Sequence, residues 1–365
     1  MKVRLVSIGN CYPGMVVGKP IYTERGNVLL ASGVTLTDGM INRLKRRNVS
    51  VLYIRDGLTD DIEIDDGVPI ELRAEANIRI KETFDELIKG NRRDGKKIRH
   101  FNIEKVQSVL DSLVKEVQKS KNVSKLLTDV YIHDDYTYAH CTNVTIYSLA
   151  MAVELKMTRG EMNIVGMGAM MHDIGKILIP KDILNKKGKL SPEEFEVIKQ
   201  HSEFGWEILR NEPSVNNLSA NCAYQHHEKL DGSGYPRGIK GEEISRYARH
   251  LAVADVFDAL TSNRSYRSAM LPHEAMEILY TGTHSQFDPY YLKAFQKAVA
   301  TYPVGVTVTL SSGETAVVTE YKFNYPDRPT VRVIKDSHGN NVDKPYEIAL
   351  SNQLNITITG CDAIL

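Results

Sequence analysis

Histidine and aspartate side chains that could bind metal recur between residues 140 and 255. The set comprises His140, His172, Asp173, His201, His226, His227 and Asp255. A single histidine in an apolar helix is more often a hydrogen-bonded core residue than a metal ligand. Burying seven such groups without compensation, however, would cost roughly 1–3 kcal/mol for each. A metal centre would compensate all of them together, and imidazole and carboxylate ligands suit zinc, iron and manganese.

The number of donors predicts how many ions such a centre holds. Seven donors are too many for one tetrahedral ion, but they match two ions that share a bridging carboxylate. Two ions about 3.5–4 Å apart suit in-line displacement at phosphorus, because they stabilise both the attacking and the leaving oxygen. One geometric point opposes this: neighbours on a regular helix, such as His226 and His227, point about 100° apart. Either the helix unwinds at Asp231-Gly232, or the two residues contact the centre from different sides.

Basic residues close to this set in sequence could contact a phosphate. Lys176 lies one turn after Asp173, where its ammonium could neutralise a phosphate oxygen. Arg264 and Arg267 are three residues apart and could form paired hydrogen bonds with phosphate groups. A surface salt bridge is the alternative for these arginines. We favour phosphate contact, because the helix that precedes them carries Asp255.

Helices are predicted to carry most of these residues. Ser191-Pro192-Glu193-Glu194 reads as a capping box with proline at the first helical position, and it opens the helix that contains His201. Asp255 and Asp258 are three residues apart and share one face of the predicted helix Ile244–Thr261. Taken alone, this aspartate pair could equally be the polar face of a surface helix.

Hydrophobic patterning divides the chain into four parts. They are a small α/β module at 1–65, a helical linker or hairpin at 66–125, a helical domain at 126–300 and a small β module at 301–365. In the first module, Val16–Thr23, Asn27–Ala31 and Val49–Ile54 are predicted strands, and Thr37 or Asp38 caps a helix that runs through Arg47.

The second and fourth parts carry weaker signals. Two apolar stripes in 66–125 predict a helical hairpin, which could serve dimerisation of two identical chains. The fourth part is predicted to be an antiparallel sheet with turns at Gly313 and at 337–340. Its predicted strands are Val304–Leu310, Ala316–Tyr321, Thr330–Ile334 and Ile348–Leu350.

Composition excludes several classes of protein. The 365 residues contain 46 Lys+Arg against 46 Asp+Glu, and 42% of them are hydrophobic. The hydrophobic content excludes a disordered chain, and the chain lacks the excess of basic residues that binding to polymeric nucleic acid requires. No apolar run approaches the ~18 residues of a membrane span, and the N-terminus lacks a secretory signal pattern. The four cysteines show no C-x-x-C spacing. We therefore expect a cytoplasmic, multidomain protein.

Two motifs in residues 126–300 resemble the HD-GYP domain, a subgroup of the HD phosphohydrolase superfamily that hydrolyses cyclic di-GMP. The segment His172-Asp173-Ile174-Gly175-Lys176 matches the first half of the family name, and Gly234-Tyr235-Pro236 matches the second. The longer segments His226–Gly238 and Val253–Arg267 are similar to the family as well. The resemblance implies a mainly α fold, in which an all-helical HD-GYP core is flanked by the small N-terminal α/β module and the small C-terminal β module.

The resemblance also implies roles for individual residues. The family's metal ligands fall on the same seven positions, with Asp173 as the bridge between two divalent ions, iron or manganese. Lys176, Arg264 and Arg267 match positions that face the phosphates of the substrate. Some family members bind a third ion through a glutamate that Tyr136 replaces here, which favours two ions.

The activity that the resemblance implies is hydrolysis of cyclic di-GMP by a metal-bridging hydroxide, which yields pGpG and, after a second cut, GMP. It also implies contact of the Gly-Tyr-Pro loop with GGDEF-domain proteins. Hydrolysis of another cyclic dinucleotide or of a nucleoside phosphate is the first alternative. A non-catalytic sensor of the dinucleotide is the second, and a di-iron oxygenase is the third, although Lys176 and the two arginines favour phosphate chemistry.

Overall fold

The structure is a computed structural model of the chain. It describes residues 3–23, 28–47, 49, 51–55, 57, 59, 61–62, 67–94, 103–119, 131–132, 136–186, 188–262, 270, 272–321 and 325–361. Three hydrophobic clusters organise these residues: one among the helices, one within the N-terminal module, and one that joins the two ends of the chain.

The N-terminal module contains short strands and one helix. Its elements are β1 (Arg4–Ser7), β2 (Val16–Val17), β3 (Ile21–Thr23), β4 (Val28–Leu30), α1 (Asp38–Arg46) and β5 (Val51–Arg55). Strand β5 pairs antiparallel with both β1 and β2, and β3 pairs with β4 antiparallel and with β6 (Tyr131–Ile132) parallel. Thr37 caps α1, because its hydroxyl accepts a hydrogen bond from the amide of Met40. Strands β3 and β4 thus form an antiparallel pair, and the segment that connects them lies outside the described residues.

Helices form the middle of the chain. They are α2 (Ile70–Asp94), α3 (Glu104–Lys119), α4 (Tyr136–Glu154), α5 (Arg159–Met171), α6 (Lys181–Leu184), α7 (Pro192–Arg210), α8 (Asn217–Gln225), α9 (Arg246–Thr261), α10 (Pro272–Thr281) and α11 (Pro289–Ala298). The predicted capping box opens α7, since the Ser191 hydroxyl accepts from the Glu194 amide and the Glu194 carboxylate accepts from the Ser191 amide.

The apolar stripes of α2 and α3 are buried within the chain. Phe84 and Leu87 of α2 and Leu110 and Leu113 of α3 belong to the same cluster as the helices of the metal-ligand candidates. The edge of Phe84 packs on Tyr138 of α4, with ring centroids 5.4 Å apart. Most residues of these stripes are thus covered by this chain's own helices, and the homodimer stays a prediction.

One glycine brings two parts of the predicted metal centre together. Gly175 lies in the short 3-10 helix Ile174–Leu178, immediately after His172 and Asp173. A Cβ atom at this glycine would collide with the backbone of His201 and Gly205 on α7. The absence of a side chain lets the 3-10 helix lie directly against α7, which places His172 and Asp173 beside His201.

The C-terminal residues form an antiparallel sheet. Its strands are β7 (Thr307–Leu310), β8 (Thr315–Glu320), β9 (Thr330–Lys335), β10 (Asn341–Ala349) and β11 (Ile358–Cys361), in the order β10-β9-β8-β7-β11. The sequence indicated only the end of β10 and did not indicate β11. Both are edge strands, and β10 is mostly exposed and contains Pro345, so it lacks the hydrophobic alternation of a half-buried strand.

The two ends of the chain share one hydrophobic cluster. Leu5 and Tyr53 of the N-terminal module pack in the same cluster as Val308 and Val331 of the C-terminal sheet. The amide of Leu5 donates a 2.7 Å hydrogen bond to the carbonyl of Gly305. The two modules were predicted as separate parts of the chain. Their association depends on contacts between residues about 300 positions apart.

The predicted fold class is confirmed: a helical core is flanked by a small N-terminal α/β module and a small C-terminal β module. No helix among the described residues combines the length and the apolar character that crossing a bilayer requires.

Candidate metal centre

The structure brings all seven predicted ligands to one place. His140 lies in the first turns of α4, His201 near the middle of α7 and Asp255 on α9, while the others follow helix ends. His172 and Asp173 come directly after α5, and His226 and His227 come directly after α8. All except His227 are almost completely buried.

The centre divides into two groups of three ligands. His140, His172 and Asp255 form the first group, and His201, His226 and His227 form the second, with the candidate donor atoms of each group within 4.8 Å of one another. Asp173 lies between the groups. Its Oδ2 is 3.5 Å from Nε2 of His172, and its Oδ1 is 3.5 Å from Nε2 of His201. The two oxygens of one carboxylate therefore face different groups, as a bridging ligand requires.

Hydrogen bonds at Nδ1 determine what the other ring nitrogen can do. Nδ1 of His172 donates to the carbonyl of Ala169 at 2.7 Å, and Nδ1 of His201 donates to that of Ile198 at 2.6 Å. Nδ1 of His226 donates to the carbonyl of Ala223 at 2.9 Å. In the neutral ring the proton is on Nδ1, so Nε2 carries a lone pair directed into the centre.

These lone pairs meet mainly other acceptors, although the Ser202 hydroxyl lies 3.5 Å from Nε2 of His201. Nε2 of His201 and Nε2 of His226 are only 3.3 Å apart. Nε2 of His172 is buried and has no hydrogen-bond partner within the described part of the chain. Lone pairs and carboxylate oxygens that converge without a proton between them repel one another unless a cation lies among them. The arrangement therefore fits bound metal.

The protonation states also suit metal binding. Burial lowers the pKa of His201 to about 4 and that of His227 to about 3, so both are neutral at pH 7. Burial alone would raise the pKa of Asp173, but Lys176 and the surrounding histidines outweigh it and hold this pKa well below its usual value. Neutral imidazoles and an ionised carboxylate are the forms that bind metal.

His140 behaves differently because two carboxylates flank it. Burial alone would lower its pKa, but hydrogen bonds to Asp255 and Asp258 outweigh burial and raise the pKa to about 9. Its Nε2 is 3.0 Å from Oδ1 of Asp255, and its Nδ1 donates to Oδ2 of Asp258 at 2.6 Å. A cation bound at Nε2 would take the place of the proton that this pKa reflects.

Two residues that support the centre were not assigned a role from the sequence. Asp258 holds Nδ1 of His140, and Asn143 donates from its side-chain amide to the other oxygen of Asp258 at 3.0 Å. The spacing of Asp255 and Asp258 was the available signal, but spacing alone could not distinguish a ligand from its supporting carboxylate. Cys141 also lies beside His172 and Asp173. Burial raises the pKa of its thiol well above the usual value, which disfavours the thiolate.

The neighbouring histidines 226 and 227 face the same centre at the end of the regular helix. Helix α8 ends at Gln225, and His226 still has helical backbone angles with its amide bonded to the Cys222 carbonyl, so the helix ends at this pair rather than at Asp231-Gly232. The ring centroids of His226 and His227 are 4.0 Å apart, and Nδ1 of His227 is 3.9 Å from Oδ2 of Asp255.

The predicted phosphate contacts are described only in part. The ammonium of Lys176 is 2.6 Å from Oδ2 of Asp173, and about a quarter of its side chain is exposed. Arg264 and Arg267 lie outside the described residues, as does the side chain of Tyr136. The structure therefore places one of the three predicted basic residues at the centre.

Comparisons with known families match most of the chain after residue 105. The HD domain family matches residues 106–290. A second family, described as a KOW domain associated with the HD domain, matches residues 307–363. The first segment begins inside α3 and contains all seven ligand candidates, and the second covers the C-terminal sheet.

Two curated relatives are similar to part of this chain. A cyclic di-GMP phosphodiesterase of Pseudomonas aeruginosa is 36% identical over 225 residues, which are 62% of this chain and 54% of the relative. A 3′3′-cGAMP-specific phosphodiesterase of Vibrio cholerae is 38% identical over 168 residues, which are 46% of this chain and 36% of the relative. The chain thus spans about half the length, or less, of these relatives. A solved HDG"Y"P protein of Bdellovibrio bacteriovorus is 17% identical and has a TM-score of 0.45, with 80% of this chain and 97% of that protein covered.

Proposed function

Because the chain belongs to the HD-domain family, we propose that it is a metal-dependent phosphodiesterase that hydrolyses cyclic di-GMP to pGpG and, through a second cut, to GMP. The observation that carries this proposal is the position of Asp173. Its two oxygens face the two groups of ligand candidates, and the Lys176 ammonium lies beside one of these oxygens, Oδ2. A pair of cation sites next to a lysine suits the polarisation of one phosphodiester.

The proposed ligands belong to the two groups described above, with Asp173 between them. His140, His172 and Asp255 would hold one ion, His201, His226 and His227 would hold the other, and Asp173 would contribute to both sites. When bound, two divalent ions supply the Lewis acidity that activates a water molecule and stabilises the charge developing at phosphorus. Iron and manganese are the ions we propose, since imidazole and carboxylate ligands suit both.

The chain's own side chains bind and orient the reacting groups. Lys176 can reach a phosphate oxygen because its side chain is partly exposed while its ammonium stays next to Asp173. Arg264 and Arg267 follow α9, the helix of Asp255, and we assign them to the remaining phosphate oxygens. His172 and Asp173 are buried, and charge interactions with a buried carboxylate are stronger than they are in water.

A second candidate function is hydrolysis of another cyclic dinucleotide. The similarity to a 3′3′-cGAMP-specific phosphodiesterase favours it, because that relative is 38% identical, against 36% for the cyclic di-GMP phosphodiesterase. The two candidates share the phosphodiester chemistry and differ only in the base that the site accepts.

The proposal extends to setting and partners. GGDEF-domain proteins are the partners that the Gly-Tyr-Pro signature favours, and we retain a homodimer and a cytoplasmic location as predictions. All four cysteines are free, three of them buried, which suits a reducing compartment. Light scattering of the full chain measures its molar mass and therefore tests for the dimer.

The decisive experiment combines metal analysis with turnover. The full chain is purified without oxygen, its metals are quantified, and the same sample is incubated with cyclic di-GMP and 3′3′-cGAMP, separately and in competition. We expect two ions per chain and conversion of cyclic di-GMP to pGpG or GMP. Preferred turnover of 3′3′-cGAMP would establish the second candidate. Tight binding of either dinucleotide without turnover in metal-replete protein would favour a sensor.

A further inference from the structure

His227 differs from the other four histidines of the centre in how its ring is held. Each of the others anchors Nδ1 to a carbonyl or to a carboxylate. The ring of His227 makes no hydrogen bond within the described part of the chain, and 27% of its side chain is exposed. A ligand with this freedom would lose rotamer entropy when it binds an ion, which weakens binding.

The ring of Tyr235 packs on His227 instead. Their centroids are 4.7 Å apart and their planes are inclined by 34°, so the phenol ring covers one face of the imidazole. The edge of Tyr235 also approaches His201, with centroids 6.4 Å apart. Offset aromatic contacts of this kind stabilise one orientation of the smaller ring.

The loop that carries Tyr235 is folded back onto the backbone of His227. We call residues 228–237 the GYP loop. The amide of Tyr235 donates to the carbonyl of His227 at 3.2 Å. Oε1 of buried Glu228 accepts a 2.8 Å hydrogen bond from the amide of Arg237, which closes the GYP loop.

Gly234 permits this close approach. A Cβ atom at Gly234 would collide with the backbone of His227, Glu228 and Lys229. Only glycine leaves the space for two backbone segments to lie this close. The glycine of the motif is therefore explained by the position of the tyrosine that follows it.

Helix α7 holds the other side of the tyrosine ring. Phe195 meets Tyr235 edge-on with centroids 6.1 Å apart, and the Lys199 ammonium is 5.7 Å from the Tyr235 centroid. The same helix carries His201. Tyr235 is thus packed between a ligand of the second group and the helix that supplies another ligand of that group.

We propose that Tyr235 is a positioning residue for His227, and that its ring sets the affinity of the ion held by His201, His226 and His227. This inference rests on the proposed division of the ligands into two ion sites. Contact with the aromatic ring takes the place of the ring hydrogen bond that orients each of the other histidines. The hydroxyl of Tyr235 is not required for this role.

The test measures metal binding, so it does not depend on turnover of any dinucleotide. Metal-free full chain is titrated with Mn²⁺ by calorimetry, and Tyr235→Leu and Tyr235→Phe are compared with the wild type. Tyr235→Leu should weaken one of the two Mn²⁺ sites by roughly 10–100-fold and leave the other unchanged. Tyr235→Phe should restore wild-type binding, because it keeps the ring.

A matched control is available on α11. The exposed ring of Tyr290 meets Tyr291 edge-on with centroids 5.2 Å apart. Tyr290→Leu removes the same atoms away from His227 and the GYP loop, and it should keep both sites. His227→Ala gives the loss expected when the ligand itself is removed.

A further variant covers the case in which Tyr235→Leu fails to fold. Gly234→Ala keeps the phenol ring but forces the GYP loop away from His227, and it should weaken the same single site.

Wild-type affinity at both sites in Tyr235→Leu, or an equal loss in Tyr235→Phe, would overturn the inference. Binding of fewer than two ions by the wild type would overturn the two-ion proposal and this inference with it. Two ions without turnover would reject only the phosphodiesterase.

Discussion

Asp258 accepts a 2.6 Å hydrogen bond from Nδ1 of His140, across 118 residues of sequence. The carboxylate keeps the proton of the imidazole on Nδ1, so that Nε2 faces Asp255 and the rest of the centre. Asn143 holds the second oxygen of Asp258 and thereby fixes the carboxylate plane. A carboxylate in this position orients a metal-bound histidine and increases its basicity.

Replacing this carboxylate should weaken metal binding without removing a ligand. In Asp258→Asn, the amide can present its NH₂ group to Nδ1 of His140, which moves the ring proton to Nε2. Metal affinity should fall by roughly 10–100-fold in a Mn²⁺ titration. Asp182→Asn, on the exposed helix α6, is the matched control. Unchanged affinity in Asp258→Asn would show that Asp258 does not orient His140.

Asp173→Ala should abolish binding of both ions, because this side chain faces both groups. The variant should also lose the stabilisation that metal confers on the wild type. At a free Mn²⁺ concentration of 100 times Kd, that stabilisation is about 2.7 kcal/mol for one site. Thermal unfolding with and without Mn²⁺ measures it, with Asp182→Ala as the control. Retention of near-wild-type hydrolysis would reject Asp173 as the bridge.

Lys176→Met should reduce turnover while the metal content stays at two ions per chain. The ammonium is expected to act on the phosphate in the transition state, so kcat should fall by roughly 10²-fold. Lys181→Met, at the exposed start of α6, removes a similar charge away from the centre and should have no effect. Loss of metal in Lys176→Met would instead assign the lysine to the metal site itself.

Arg267→Ala should weaken substrate binding, because one paired phosphate contact is lost. We expect a higher KM and unchanged metal content, as measured by steady-state kinetics and elemental analysis. Arg267→Lys keeps the charge but loses the paired geometry, and it should restore activity only in part. Wild-type kinetics in both variants would support the alternative that these arginines form surface salt bridges.

The stability of the metal-free chain should depend on His250. Its Nε2 donates to the carbonyl of Ser148 at 2.9 Å, and burial lowers its pKa to about 4. As the pH falls, His250 is protonated near its ordinary pKa of about 6.5 in the unfolded chain, before it is protonated in the folded chain. Stability due to His250 is therefore complete above pH 6.5 and is lost as the pH falls towards 4, by up to about 3 kcal/mol.

Comparison with His250→Gln isolates this contribution, because glutamine can still donate to the Ser148 carbonyl but does not titrate. Between pH 6.5 and 4 the free energy of unfolding should fall less steeply with pH in the variant than in the wild type, because the variant takes up one proton fewer on unfolding. Denaturant unfolding at several pH values measures this slope. Other buried histidines, such as His201, will still make both proteins less stable in acid. Identical slopes would mean that His250 is already protonated in the folded state.

The choice of ligand candidates depended on residue type, which the sequence states directly. Imidazole and carboxylate groups are rare in apolar helices, so their recurrence from His140 to Asp255 indicated a common environment. Segment patterns such as the capping box at Ser191 depend on neighbours within four residues and were equally readable. The motifs around His172 and Tyr235 pointed to the family that the comparisons found.

Long-range contacts decided the rest. The division of the ligands into two groups follows from the packing of five helices or helix ends, and no spacing in the sequence encodes it. The place at which α8 ends, the support of His140 by Asp258, and the packing of Tyr235 on His227 all join segments that fold together only in three dimensions. The shared cluster of the two chain ends, with Leu5 beside Val308, has the same origin.

The sequence by itself thus determined which groups are present, the helical class of the fold and the chemistry those groups favour, because these depend on residue types and short periodicities. Only the tertiary structure decided which oxygen of Asp173 faces which group, which nitrogen of each histidine points inward, and which ring packs on His227. Those features depend on distances between residues far apart in the chain. Such distances are set by how side chains fill a common core.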